Sequence, residues 1–76
     1  MENKLFDELT VKELEDIMFA AYSINSMLQE HFTVDVIMSD KHMSNIFAQG
    51  IATSNLCFAQ LKKIFKNDPD SIYSKL

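Results

Sequence analysis

Leu9-Thr10-Val11-Lys12-Glu13-Leu14 reads as the start of a helix on several independent grounds. Thr10 stands at the N-cap and Glu13 three residues on, the spacing of a capping box in which each side chain bonds the other residue's amide. Leu9 and Leu14 occupy the two positions of a hydrophobic staple. Glu13, Glu15 and Asp16 put negative charge at the positive end of the helix dipole.

From Leu14 onward, Ile17, Met18, Ala21, Ile24, Leu28 and Phe32 recur at steps of three and four, which aligns them on one helical face and predicts a first helix over 11–31. Thr33-Val34-Asp35-Val36-Ile37-Met38 interrupts that period with clustered β-branched residues, so it reads as an extended or irregular connector, an extra helical turn being the alternative. Ser39 or Asp40 then serves as N-cap of a second long helix over about 40–66. Met43, Ile46, Phe47, Ile51, Ser54, Phe58, Leu61 and Phe65 carry its helical spacing. Lys62, Lys63 and Lys66 suit its C-terminal dipole, and Pro69 cannot continue its hydrogen-bond ladder. Asp68-Pro69 resembles an N-cap with proline at the first helical position, predicting a short C-terminal helix over about 69–75.

Composition agrees with an all-α class. The chain has 76 residues, 47% of them hydrophobic, with one Gly and one Pro, against average usages of about 7% and about 5%. This length holds one small helical domain over residues 1–76. No apolar run reaches the roughly 18 to 20 residues that span a bilayer, and MENKLFDEL lacks the basic start of a signal peptide, so a cytoplasmic protein is expected. The net charge is −4 and is unevenly placed: residues 1–16 hold six acids and two lysines, residues 62–76 four lysines and two aspartates. An antiparallel hairpin of the two long helices would set Glu13, Glu15 and Asp16 near Lys62, Lys63 and Lys66, biasing orientation more than stability.

The apolar arc of the second long helix, from Ile46 through Cys57 and Leu61 to Ile51, covers about 140° and exceeds what one partner helix needs. Gly50 and Ser54 lie in its middle, and a helix-interior glycine costs about 1 kcal/mol relative to alanine, which favours a packing role for Gly50. Phe47, Gly50, Ile51, Ser54, Phe58 and Leu61 are therefore the candidate residues for helix and dimer packing. Phe19, Tyr22 and Met27 project off the main stripe of the first helix, and Leu56 stands on the back of the second. These four form the candidate partner surface. A two-helix unit lacks the enclosed core of four helices, so the expected architecture is a hairpin that dimerises into a four-helix bundle. The competing architecture is a monomer whose C-terminal segment closes the open face.

Chemistry-bearing constellations are sparse. His31 and His42 have no Cys or His at structural-zinc spacing, and both read as boundary residues, so neither a metal nor any other cofactor is expected. Cys57 falls on the apolar arc as a small hydrophobe with no basic neighbour to activate it, and it has no second cysteine for a disulfide. Glu13, Glu15 and Asp16 fit capping better than acid–base catalysis, and a single glycine excludes phosphate loops and nucleophile elbows. No enzyme is expected. Lys62-Lys63-Ile64-Phe65-Lys66 is a weak basic footprint in an acidic chain without arginine, which disfavours nucleic acid. An acidic polar face disfavours membrane surfaces. The five methionines suit core more than an adaptable groove.

The sequence points to a non-catalytic protein–protein interaction module, a small acidic dimeric regulator, inhibitor or adaptor. The alternatives are a nucleic-acid-associated regulator working through Lys62 to Lys66, and a secretion or folding chaperone that holds a client helix in its apolar groove.

Overall fold

A computed structural model describes residues 5–75, in which a 3-10 turn, Phe6–Glu8, leads into four helices: α1, Val11–His31; α2, Val34–Ser39; α3, Lys41–Ile64; and α4, Ile72–Lys75. The capping box forms as its spacing requires. Glu13 N–H donates to Thr10 Oγ1 at 3.1 Å and Thr10 N–H to Glu13 Oε1 at 2.9 Å. Leu9 packs against the cluster that holds Leu14, completing the staple. At the other end of α1, Phe32 turns to extended backbone while its N–H still donates to Leu28. Asp40, not Ser39, caps α3, accepting from Met43 N–H at 2.9 Å.

Of the two conformations open to the connector, 34–39 takes the helical one rather than the extended one. Thr33 Oγ1 accepts from Val36 N–H at 3.3 Å, and Ile37 is fully buried. A side-chain cap and one buried anchor outweigh the low helix propensity of Val34, Val36 and Ile37, a bias of only a few tenths of a kcal/mol per residue. The C-terminal helix begins later than expected. Asp68 Oδ1 accepts from Asp70 N–H in a local turn, so Asp68-Pro69 opens no helix, and Ser71 Oγ instead accepts from Tyr73 N–H.

Leu14 clusters with Cys57 and Leu61, while Asn25 lies against Gly50 and donates to Phe47 O at 3.5 Å. The start of α1 thus meets the end of α3, which makes the pair an antiparallel hairpin. The expected pairing of acids with lysines across it is not what the side chains adopt. Lys12 pairs with Asp16 along α1 at 3.0 Å, and Glu15 accepts from Tyr73 O–H at 2.6 Å. An aromatic hydroxyl brought in by the C-terminal segment takes up the carboxylate, leaving Lys62 over the Phe58 ring, 5.7 Å from its centroid.

The hairpin is elongated, measuring 41 × 34 × 14 Å. The radius of gyration is 14.7 Å, against about 11.4 Å for a compact chain of this length. The enclosed core is correspondingly small: Leu14, Cys57 and Leu61 at one end, Ala21 midway and Ile37 under α2.

Candidate interaction surface

The two flanks of the hairpin differ in what covers them. On α3, Cys57 and Leu61 point at α1, and the apolar arc extends past them on both sides. Ile46, Ile51 and Ile64 each keep 44 to 46% of their surface exposed, so α1 covers the centre of the arc and leaves its edges open. On one flank, α4 folds back over the end of the hairpin. Tyr73 stacks on Phe65 with centroids 5.6 Å apart and meets Phe58 edge-on at 6.2 Å. Its hydroxyl bond to Glu15 ties this segment to α1. Four residues of α4 therefore close one end of one flank, and not the whole face that a three-helix monomer would need closed.

The other flank is an open groove. Ile17, Ala20 and Ile24 of α1 face Ile46, Gln49 and Thr53 of α3 across a hollow of about 270 Å³, with Ala21 and Gly50 in its floor. Ile24 and Ile46 also border a second hollow of about 240 Å³ that runs on past Met27 and Leu28 to His31 and Phe32. The two hollows adjoin at Ile24 and Ile46, and no aspartate, glutamate or lysine lines either.

At Gly50 the α3 backbone lies directly against the Asn25 side chain of α1. A Cβ there would lie 2.5 Å from Asn25 Oδ1, so the amide of Asn25 occupies the space that any other residue would fill. Asn25 Oδ1 and Ser54 Oγ are buried without a hydrogen-bond partner among the described residues. Ser54 and Leu61 are spent inside the hairpin, Phe47 and Phe58 are half-buried, and Ile51 stays open, so the six packing candidates divide between the helix contact and the outer surface.

Phe19, Tyr22, Met27 and Leu56 are all well exposed, between 57 and 66%. The fold does not gather them into one patch. At about 100° per residue, Phe19 and Met27 lie about 140° to either side of Leu14, straddling the outer edge of α1, while Leu56 stands beyond Cys57 on the far edge of α3. The apolar feature is instead the Ile17–Ile24–Ile46 groove, which takes in Met27 of the four candidates and whose Ile17 and Ile24 belong to the main helical stripe. Sequence periodicity assigned them to the core because it cannot show how much of a stripe the partner helix covers.

Nothing in this surface suggests covalent chemistry. Cys57 is fully buried and burial pushes its thiol up from its ordinary 9.0, away from the nucleophilic thiolate. No three His, Cys, Asp or Glu side chains converge on a common point among the described residues. His31 ends α1 and His42 lies in the first turn of α3. No described helix is long and apolar enough to cross a membrane. Comparison with known proteins adds no relative: no family model matches the chain, and neither a curated protein nor a solved structure is similar to it.

Proposed function

We propose that this chain is a non-catalytic protein–protein interaction module, a small acidic regulator or adaptor that works as a homodimer of stacked hairpins. The observation that carries the reading is a two-helix hairpin with a small enclosed core and an apolar groove, lined by no acid or lysine, along one flank. Helical domains enclose their apolar faces between helices, and no described helix supplies that cover over the groove. Stacking two hairpins supplies it and yields a four-helix bundle. The outer edges, with Phe19 and Leu56, then remain for a heterologous partner.

The test is light scattering coupled to size exclusion over a hundredfold concentration range, with circular dichroism on the same samples. The expected mass is twice 8.8 kDa at high helicity. A fully helical monomer at every concentration rejects the reading. Phe19→Ala and Leu56→Ala should leave mass and helicity unchanged, and loss of folding in both would assign them to the core instead. A nucleic-acid role draws less support, since Lys62 and Lys63 diverge by about 100° around α3 and Lys62 sits over Phe58.

A further inference from the structure

We infer that the groove lined by Ile17, Ala20, Ile24 and Ile46 is the face on which a second copy of this chain docks, an inference that rests on the dimeric reading above and specifies which flank serves it. The two flanks are distinct surfaces: Glu15 and Ile17 project about 160° apart on α1, and Phe58 and Gln49 about 180° apart on α3. Tyr73 occupies one end of the Glu15–Phe58 flank, whereas no described element lies over the groove.

Area, charge and shape each favour a second copy as the occupant. The chain exposes 5923 Å², about 1,100 Å² more than the roughly 4,800 Å² expected of a compact protein of its mass. Removing that excess from both members of a pair would bury about 2,200 Å² in total, within the range of obligate homodimers. Two chains of net charge −4 repel unless they meet through uncharged surface, and the groove lining carries no acid and no lysine. The same surface also holds both halves of a complementary fit. Ile17, Ile24 and Ile46 border the groove, and Ala21 with Gly50 forms its floor, as a two-fold contact of one patch with itself requires.

The decisive experiment mixes equal amounts of carbon-13-labelled and unlabelled protein and records isotope-filtered nuclear Overhauser contacts, which report only between chains. Intermolecular contacts among the methyl groups of Ile17, Ile24, Met27 and Ile46 are expected. A dimer whose intermolecular contacts run instead through Tyr22 and Ile51 overturns this inference and leaves the dimeric reading intact, whereas a monomeric mass overturns both. Ala20→Arg places a charge in the groove at an exposed helical position and should halve the mass at a concentration where Tyr22→Arg leaves it unchanged. The reverse pattern sinks the assignment. Because losing the partner can also lower helicity, the contacts in the unmodified protein decide wherever Ala20→Arg unfolds.

Discussion

A methyl group added at Gly50 would stand 2.5 Å from Asn25 Oδ1, 2.8 Å from its Nδ2 and 2.9 Å from its Cγ. Alanine is intrinsically better than glycine in a helix by about 1 kcal/mol, so the sign of Gly50→Ala depends on whether Asn25 can yield. Moving the amide breaks its bond to Phe47 O, and Asn25 Oδ1 already lacks a partner. Gly50→Ala should therefore destabilise the protein by about 1 kcal/mol, and in an Asn25→Ala background the same change should stabilise it by about 1 kcal/mol. Urea melts of the four proteins in this cycle measure the coupling, and equal effects in both backgrounds would remove Asn25 as the reason for the glycine. Ser54→Ala, by contrast, should be neutral or stabilising by up to about 1 kcal/mol, because it deletes a buried hydroxyl that has no partner among the described residues and improves helix propensity.

Tyr73 and Cys57 set an alkaline limit at the same scale. The hydrogen bond to Glu15 raises the Tyr73 hydroxyl above its ordinary 10.0, helped by burial and by the carboxylate's negative charge. Burial raises Cys57 above 9.0. In both cases the folded state holds the proton more tightly than the unfolded chain. Their contribution is thus complete below the unfolded values and is lost as pH climbs through the folded ones. Melting temperature should hold level up to about pH 9 and fall above it, and Tyr73→Phe should shrink the fall above pH 10. That variant should also cost about 1 to 2 kcal/mol at neutral pH, the low end for a bond to a charged group because the site is half-open to water. Thermal melts from pH 7 to 11 check both, and a profile identical in the Tyr73→Phe variant would detach the alkaline loss from this contact.

The elements differ in how much of each was written locally. α1, Val11–His31, has the bounds its capping box and its three-and-four periodicity predict, and α3, Lys41–Ile64, lies within the expected 40–66. Both carry caps and period together, so local and tertiary preferences agree. α2 is only half legible, because Val34, Val36 and Ile37 favour strands by composition and leave a helical turn as the second choice, and the burial of Ile37 that decides for the helix is a long-range fact. The one local signal was Thr33, three residues before Val36, a cap position that the β-branched cluster obscured. A six-residue helix cannot repay its own nucleation, so α2 depends on this cap and on Ile37. Thr33→Ala should weaken it by about 1 kcal/mol and speed amide exchange at Ile37 and Asp40 about fivefold, with the amides of α1 unaffected. Uniform loss of protection throughout the protein would instead make α2 part of one cooperative unit with the hairpin. The candidate surface was legible to a similar degree. An excess of apolar helix face is visible from residue spacing, but the division of that excess into a Tyr73-covered flank and an open groove is set by where α4 returns.

At the scale of the whole molecule, each long helix has one long neighbour among the described residues, and the enclosed core of Leu14, Cys57, Leu61, Ala21 and Ile37 is small for a 76-residue chain. If a second copy covers the groove, folding and association are one equilibrium, and stability then depends on concentration. A tenfold rise in protein adds about 1.4 kcal/mol per mole of dimer. With an unfolding entropy of about 2.1 cal/mol/K per residue over two chains, that becomes an increase in melting temperature of about 4 °C per tenfold, or about 8 °C over a hundredfold range. A monomeric fold gives no such slope, because neither side of its equilibrium changes in molecularity. Calorimetry at micromolar and at hundredfold higher concentration separates the two, and the slope should vanish in Ala20→Arg if the groove is where the copies meet. A constant melting temperature in the unmodified protein would mean that this hairpin is stable alone, and its apolar groove would then be free surface rather than half of a core.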